Sequence, residues 1–592
     1  MATRTALRRT ARIATPSQWI RQSSTGGPGG QPQARRSLLP LLAGAVLVGA
    51  GAGGFWAYKT YPQLAKQKGE DQISKQPEKA EILREKPRKK SRSQEESNEL
   101  ISPQHVQMKH SHEHPGVYAW GSNVGKVAAP DSKETSIKAP RRIPYFDGQI
   151  LRDLKLERDF GVAVNEKGDL VQWGVGFNRD TPTPEVTLRG KDITKIAVSR
   201  DRVIALSSNG QVYSIPVAKA DQAFAENTPN SHSSWSIWSG TPNFTQHFRT
   251  LKPANLGWNE QVVDIKSGLE HCLMLTSKGR VFSAASSTEE FPSRGQLGVP
   301  GLTWQNRPPG PYDQPHEIGG LRGFKVKEIA TGDYHSLALD NEGRVFSFGD
   351  NTVGQLGFKT DLTATHIDTP SLLPVNQLYA GANLKPKVTS IAAGGLNSFF
   401  TVDATKMQSK SGSEVMPASE LGRVVAETWA CGSGIHGELG TGKWLHVSVA
   451  PSKVKALSDL YEYDEESNTV SPIRLNRIAV GSTHVCAVMD NVHGGSKGGP
   501  EFGNDVLFWG GNESYQLGTG KRNNTNVPVY IGALDGDSVG AGKMDGELGR
   551  NRFQLAPRAR VNLLSEKGKA RKVEVEQRVE CGRCVSAVYS AV

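Results

Sequence analysis

Short alternations of apolar and polar residues, separated by glycine-rich turns, recur through residues 115–592. Residues 326–357 show the repeating unit most completely. An apolar alternation ends at Gly332, a second run follows His335, and a third run, at 344–348, follows an Asn-Glu-Gly turn. Alternation with a period of two residues is typical of β-strands. The pattern therefore predicts a succession of short antiparallel strands and an all-β fold.

The third strand of this unit ends in Trp-Gly, Phe-Gly or a related pair and recurs along the chain. It is found at 117–121, 169–174, 211–215, 280–284, 344–349, 427–432 and 505–510. A Gly-x-x-His element precedes it at Gly268 and His271, at Gly332 and His335, and at Gly481 and His484. In the first copies Phe160 and Arg202 stand where histidine is expected. Recurrence of one unit predicts a repeat architecture of seven copies.

Each marked position of the unit has a predicted structural role. Gly332 would adopt a positive φ where the first strand ends and the chain reverses. His335 is placed to bridge the loop backbone with its ring nitrogens. Gly349, after the third strand, and Gly357, in a Gly-Gln-Leu-Gly turn, mark further tight turns. We therefore interpret the repeat histidines as structural residues.

Residues 1–36 have the composition of a mitochondrial presequence. Residues 1–69 contain no Asp or Glu, whereas seven arginines are spread among Ser, Thr and Ala between Arg4 and Arg36. Leu7, Ile13 and Ile20 alternate with these arginines, a pattern that permits a basic amphipathic helix. A disordered basic tail is the alternative interpretation.

Residues 37–60 are predicted to form a single transmembrane helix. The stretch 38–58 is uncharged, and about 20 residues are enough to cross the hydrocarbon core of a bilayer. A secretory signal is the competing interpretation, although this apolar stretch begins late for one. Gly49 and Gly53 form a Gly-xxx-Gly pair that suits packing against another helix.

Residues 61–114 are rich in Lys, Glu, Gln, Ser and Pro, which predicts a charged, disordered linker. Four histidines lie near its end, at His105, His110, His112 and His114. Imidazoles at this density can bind Zn or Ni. No thiolate or carboxylate group surrounds them in the sequence, so we predict a solvated stretch and no metal site.

The formal net charge of +12 comes from the leader and the linker. Residues 1–92 carry 18 Lys and Arg against 5 Asp and Glu, whereas residues 93–592 carry 53 against 54. A nucleic-acid-binding domain would hold its excess of cations on the folded part. Of the five cysteines, only Cys581 and Cys584 are closely spaced, and we interpret them as repeat positions in preference to a zinc or redox site. The sequence predicts no nucleic-acid partner, metal or cofactor.

Together, the Gly-x-x-His, Trp-Gly and Gly-Gln-Leu-Gly elements resemble the regulator of chromosome condensation repeat family. This resemblance covers residues 115–592 and implies a seven-bladed β-propeller. Residues 573–592 carry half of a repeat, and 117–121 carry the missing strand, so both ends are expected to share one blade. With a presequence and a span in front, the chain resembles the fungal mitochondrial inner-membrane members. Similar proteins are linked to the assembly of respiratory complexes or mitochondrial ribosomes.

The resemblance implies a protein-binding scaffold and no enzyme, held in the inner membrane by a single span. Its expected partners are respiratory-complex subunits, assembly factors or the ribosome, with no small-molecule substrate. Trp235 and Trp238, in a long excursion at 217–260, are candidate partner-binding residues, although they would equally pack the loop onto its own blade. Guanine-nucleotide exchange on a small GTPase is the alternative function. The sequence leaves open whether the propeller faces the matrix or the intermembrane space.

Overall fold

The computed structural model describes residues 103–223, 248–287, 291–302, 314–359, 365–408, 421–464, 468–491, 502–534, 552–564 and 570–592. The predicted presequence, the predicted span at 37–60, and the linker up to residue 102 lie outside these residues. None of the helices described within them is both long enough and apolar enough to cross a membrane.

Short antiparallel strands make up most of the described chain. In chain order they begin with β1 (Val117–Ser122) and β2 (Ser136–Arg142), which belong to the last blade. Blades 1 and 2 contain β3 (Leu151–Leu156), β4 (Gly161–Asn165), β5 (Leu170–Trp173) and β6 (Glu185–Leu188), then β7 (Ile193–Val198), β8 (Arg202–Ser207), β9 (Val212–Pro216) and β10 (Arg249–Leu251). Blades 3 and 4 contain β11 (Val262–Ser267), β12 (His271–Thr276), β13 (Val281–Ala285) and β14 (His316–Glu317), then β15 (Val326–Thr331), β16 (His335–Asp340), β17 (Val345–Asp350) and β18 (His366–Leu372).

The remaining strands complete the ring. Blade 5 contains β19 (Leu384–Gly394), β20 (Asn397–Lys406), β21 (Val424–Gly434) and β22 (Leu445–Lys453), and is followed by a hairpin of β23 (Tyr461–Asp464) and β24 (Thr469–Pro472). Blade 6 contains β25 (Arg474–Val480), β26 (His484–Asp490), β27 (Asn504–Gly510), β28 (Thr525–Val529) and β29 (Gln554–Leu555), and blade 7 adds β30 (Ala559–Leu564), β31 (Ala570–Cys581) and β32 (Val585–Ala591). The helices are α1 (Pro103–Glu113), α2 (Lys219–Ala223) and α3 (Val375–Leu378).

Seven blades, each with four antiparallel strands at its centre, form a closed ring within the described residues, and a parallel Leu151–Ala591 pair joins blades 1 and 7 into one sheet. The first strand of each blade packs beside the first strand of the next around a central channel. Blade 7 combines both ends of the repeat region, because β32 pairs with β31 on one side and with β1 on the other. Val117 lies opposite Tyr589 in this pairing. The shared blade leaves no open sheet edge at the junction.

Apolar side chains pack between neighbouring blades, so the core is divided into slices around the ring. In one slice Leu337 and Leu339 of blade 4 pack with Val388 and Phe400 of blade 5, and all four are buried. Strands buried on both faces are consistent with a stacked-sheet core. Each blade is therefore stabilised mainly by its two neighbours.

The ring has two faces, which differ in their loops. The loops between the first and second strands, including 268–270, 332–334, 481–483 and 582–584, lie on one side, which we call the histidine face. The turns between the second and third strands, and the connections from one blade to the next, lie on the opposite side, the basal face. At the basal face the Ile193 amide donates to the Gly168 carbonyl oxygen and the Val326 amide donates to that of Gly279, each bond joining adjacent blades.

Helix α1 was not expected, because the sequence places residues 103–113 in the disordered linker. Met108 is buried, with its sulfur against Gly503. The Gln107 side chain donates to the Arg552 carbonyl oxygen at 3.2 Å, and His112 Nε2 lies 3.2 Å from the Pro557 carbonyl oxygen. These contacts fix a polar helix on the basal face of blades 6 and 7, so residues 103–113 belong to the propeller domain and not to a disordered linker.

Candidate binding surfaces of the propeller

The repeat histidines form latches between blades. His271 Nε2 of blade 3 lies 2.9 Å from Ser336 Oγ of blade 4, and this hydroxyl donates to the Gln296 carbonyl oxygen of blade 3 at 3.0 Å. Since the serine proton is used in that bond, Nε2 carries the proton that the hydroxyl accepts. The sequence-based prediction of a bridge to the loop backbone therefore missed the serine on the next blade.

The same latch occurs at the other two repeat histidines. His335 Nε2 lies 2.9 Å from Ser398 Oγ, which donates to the Gln355 carbonyl oxygen at 2.7 Å. The third set is His484, Ser586 and the Gln516 carbonyl oxygen, with separations of 2.8 and 2.7 Å. The glutamines belong to the Gly-Gln-Leu-Gly turns or their equivalent. Two motifs that are separate in the sequence thus meet in one hydrogen-bonded unit.

Burial keeps His271 and His335 neutral. Burial lowers the pKa of His271 to about 3 and that of His335 to about 4, and neighbouring His335 lowers the pKa of His271 further. A buried imidazole without an anionic partner favours its uncharged form. The arrangement suits a structural hydrogen bond and leaves no ring nitrogen directed at solvent for acid–base chemistry.

The glycines of the Gly-x-x-His element have a different role from the one predicted. Gly268, Gly332 and Gly481 do not have positive φ angles, and each lies against the loop of the next blade. A Cβ atom on Gly481 would come within 2.5 Å of the Gly582 carbonyl oxygen, and one on Gly332 within 2.7 Å of that of Gly395. Close approach between loops requires glycine here. By contrast, Gly349 and Gly357 have φ angles of 109° and 81°, as tight turns require.

The central channel encloses about 770 Å³ and is lined by the first strands of the seven described blades. Charged side chains inside it pair across blade boundaries. Lys155 Nζ lies 2.8 Å from Glu580 Oε2, and Lys195 Nζ lies 2.8 Å from Asp264 Oδ1. Burial lowers the pKa of Lys155, but Glu580 and Asp153 outweigh this effect and raise it. These pairs join neighbouring inner strands.

At the histidine face, Arg583 spans the channel mouth. Its guanidinium lies 3.2 Å from Glu157 of blade 1 and 3.1 Å from Asp333 of blade 4, on the far side of the ring. Burial raises the pKa of Glu157 to about 7, against the opposing effect of Arg583. Arg583 lies between Cys581, which is buried, and Cys584, which has a φ of 60° in the turn. The Cys-x-x-Cys stretch is thus a repeat loop that closes the channel.

No group of three or more His, Cys, Asp or Glu side chains is arranged to hold a metal ion within the described ranges. Trp235 and Trp238 lie outside the described residues. Their role as partner-binding residues therefore stays a prediction.

Blade 5 carries a projection beyond the repeat unit. Strands β19, β20 and β21 have 11, 10 and 11 residues, whereas β15, β16 and β17 of blade 4 have 6 each. At about 3.3 Å per residue, the longer strands extend roughly 15 Å past the basal face. The β23–β24 hairpin packs beside them, where the Asp459 amide donates to the Ala426 carbonyl oxygen. We call these five strands the blade-five projection.

The blade-five projection exposes apolar side chains, and a buried hydrogen-bond network holds its base in place. Met407, Leu421, Tyr463 and Val470 are 47, 51, 57 and 52% exposed, and Tyr463 and Val470 are a cross-strand pair. At the base, buried Glu427 accepts from the Tyr379 hydroxyl at 2.5 Å, from the Trp429 indole at 3.2 Å and from Lys453 at 2.5 Å. Tyr463 and Val470 lie on β23 and β24, whereas Met407 and Leu421 lie just outside β20 and β21. Exposed large apolar groups such as these are typical of a contact surface for another macromolecule.

Comparison with known proteins agrees with this architecture. The regulator of chromosome condensation (RCC1) repeat matches residues 326–355, and a second form of the same repeat matches residues 342–400 and 504–541. The crystal structure of human WBSCR16 superposes with a TM-score of 0.51 and 19% identity, covering 81% of this chain and 99% of the other. The chain is therefore a β-propeller with matches to the RCC1 repeat at residues 326–400 and 504–541.

Two similar relatives are named as mitochondrial proteins. Protein FMP25, mitochondrial, of Saccharomyces cerevisiae is 26% identical over 430 residues, which cover 69% of this chain and 64% of the yeast protein. RCC1 domain-containing protein RUG3, mitochondrial, of Arabidopsis thaliana is 23% identical over 387 residues, covering 63% and 72% of the two chains. The matched region thus spans less than two thirds of the yeast relative's length.

Similarity to ligases is confined to a small part of those proteins. The human probable E3 ubiquitin-protein ligase HERC6 is 28% identical over 221 residues, covering 37% of this chain but 20% of the ligase. A match of this extent concerns the repeats alone.

Proposed function

We propose that this protein is a non-enzymatic, protein-binding scaffold of mitochondria, and that the blade-five projection is its partner surface. The projection carries this proposal, because it departs from the repeat, exposes four large apolar side chains and stands on a buried hydrogen-bond network. The histidines and glycines of the repeat motifs form the latches and the contacts between loops. Their role is therefore structural, which supports a scaffolding role for the sheets.

The mitochondrial location is supported by the predicted presequence and by the names of the yeast and Arabidopsis relatives. We further propose that the predicted span holds the protein in the inner membrane. A propeller at that surface would support the assembly of a respiratory-chain complex or of the translation machinery. Trp235 and Trp238, in the segment of the sequence between β9 and β10, are proposed as a second contact.

Partner capture tests the projection. In purified mitochondria, crosslinking followed by mass spectrometry should recover fewer partner peptides from a Leu421→Asp, Tyr463→Asp double variant than from the unaltered protein. Anchor residues at interface centres contribute about 2 kcal/mol or more each, so a loss of at least tenfold is expected. The matched control is Ile435→Asp, an equally exposed apolar position, 50% exposed, on the histidine face.

The outcomes distinguish the candidate functions. Loss of partners with the projection variant alone supports the scaffold. Equal recovery from all three proteins rejects the projection as the partner surface. Accelerated nucleotide release from a mitochondrial GTPase by the purified protein would instead establish the exchange factor considered from the family resemblance.

A further inference from the structure

A fully exposed tryptophan marks a second surface on the basal face. Trp258 lies in the connection between β10 and β11 and is 93% exposed, more than any other large apolar residue of the described chain. The loop is not loose around it, since Lys278 Nζ donates to the Trp258 carbonyl oxygen at 3.1 Å. The apolar surface of this indole is therefore exposed to solvent and does not pack against other described residues.

Three lysines lie in this connection and in the neighbouring basal segments. Lys252 lies in the same connection, Lys278 in the β12–β13 turn, and Lys325 immediately before β15, and all three are exposed. The turns that bear Lys278 and Lys325 touch, because a Cβ atom on Gly279 would lie 3.1 Å from Lys325 Cα. None of the three forms an ion pair with another described residue. We call Trp258 and these lysines the Trp258 patch.

The carboxylates beside the patch are neutralised within the protein. Glu260 is buried and lies 3.1 Å from Arg280, and Glu317 lies 2.9 Å from both Arg280 and Arg322. Hydrogen bonds from Arg280 and Arg322 hold the pKa of Glu317 at about 2. The charge that the patch presents to solvent is therefore positive, although residues 93–592 as a whole are close to neutral.

Helix α1 lies on the same face. It packs on the basal side of blades 6 and 7, and β1 runs from the basal face to the histidine face.

We propose that the Trp258 patch docks on an anionic lipid surface, with the indole at the headgroup level and Lys252, Lys278 and Lys325 against lipid phosphates. Tryptophan prefers the membrane–water interface, and lysines near an anionic surface each add to binding. A single indole among lysines fits this occupant better than single-stranded nucleic acid, which is bound by several stacking aromatic side chains along a groove. The proposal adds a lipid contact to the proposed membrane location and depends on it only for the presence of a bilayer.

A fluorescence experiment on the full-length protein tests the contact. A cysteine introduced by Ala254→Cys, in the Trp258 loop, would be labelled with an environment-sensitive fluorophore in a Cys584→Ser background, because the other four cysteines are buried. The protein would be reconstituted in phosphatidylcholine vesicles with or without phosphatidylglycerol, with headgroup-region quencher lipids. The matched control carries the label through Lys443→Cys, beside the exposed Trp444 of the histidine face.

We expect quenching of the label at position 254 in anionic vesicles and not of the label at 443. Trp258→Ala should abolish the quenching, whereas Trp444→Ala should not change it. Each lysine-to-glutamine change should weaken the contact roughly fivefold at low salt. Equal quenching at both positions, or none at 254, would overturn the proposal, as would protection of the label by poly(U) RNA without lipid quenching.

Carbonate extraction of the same vesicles distinguishes the lipid contact of the Trp258 patch from anchoring by the proposed transmembrane span. Protein that resists extraction but shows no quenching at 254 retains its anchor and refutes the lipid contact. Protein that is extracted but was quenched beforehand supports the contact and rejects the span.

Discussion

At the scale of single residues, the ring depends on small groups placed between blades. An imidazole, a serine hydroxyl and a turn carbonyl make each latch, and a missing Cβ lets adjacent loops touch. Blade 5 keeps the slot but fills it with buried Asn397, so a side-chain amide is compatible with the same position. The latch is thus one of several ways to fill this slot, since buried Phe160 and Val585 occupy it in blades 1 and 7 without a polar side chain.

Because of the latch histidines, we expect the free energy of unfolding to decrease at acidic pH. An unfolded histidine has a pKa near 6.5, whereas His271 and His335 have values of about 3 and 4 in the folded protein. Because the folded state binds fewer protons, the contribution is fully present above about pH 6.5 and is lost as the pH falls below it. At pH 5 each of these two histidines would lower the free energy of unfolding by about 2 kcal/mol relative to its value above pH 6.5.

Thermal melting of His335→Asn across this range checks the prediction. The variant should be less stable than the unaltered protein at pH 8, and the gap should narrow toward pH 5. His446→Asn, at an exposed position of β22, is the control and should leave the pH slope unchanged. An unaltered slope in His335→Asn would show that burial does not hold this ring neutral.

Substituting a loop glycine by alanine should destabilise the protein by steric overlap alone, because these glycines do not have positive φ angles. Gly481→Ala should destabilise the protein by about 1–3 kcal/mol, because the new methyl group overpacks against the Gly582 carbonyl oxygen. Gly319→Ala provides the comparison, since a Cβ atom there meets nothing within 4 Å and the φ angle is ordinary. Chemical denaturation should separate the two variants; equal midpoints would contradict the close-approach explanation.

At the scale of elements, the sequence predicts what repeats and misses what does not. The third strands at 344–349 and 505–510 and the turns at Gly349 and Gly357 are visible because spacing and turn chemistry are local. The serine partner of His271 was not identified from the sequence, because Ser336 lies 65 residues away. The signal that could have found it is a serine directly after the histidine slot, at Ser336, Ser398 and Ser586. Helix α1 has no apolar periodicity, and Met108 is its buried anchor. The blade-five projection is likewise an insertion without a pattern.

At the scale of the whole molecule, stability depends on the junction between β1 and β32. Removing residues 570–592 should abolish the cooperative melting transition, because β1 and β3 would lose their neighbouring strands. A synthetic peptide of residues 570–592 should restore the transition by strand addition. The same peptide with Val585→Asp and Val588→Asp should not, since both valines are fully buried. Retention of the transition without the segment would show that the ring is stable when open.

The shared blade also gives the chain an order of events during synthesis. Blades 1 to 6 can form as they emerge, each on its predecessor, but β1 must wait for a strand encoded more than 460 residues later. Until β32 is made, β1 and β3 lack their neighbouring strand at the junction between the first and last blades. The free edge of β1 is then available to pair with other strands. A ribosome that stalls before β32 therefore yields a product that is nearly full length and still unsealed. Quality-control proteases could recognise such a product by its open edge alone.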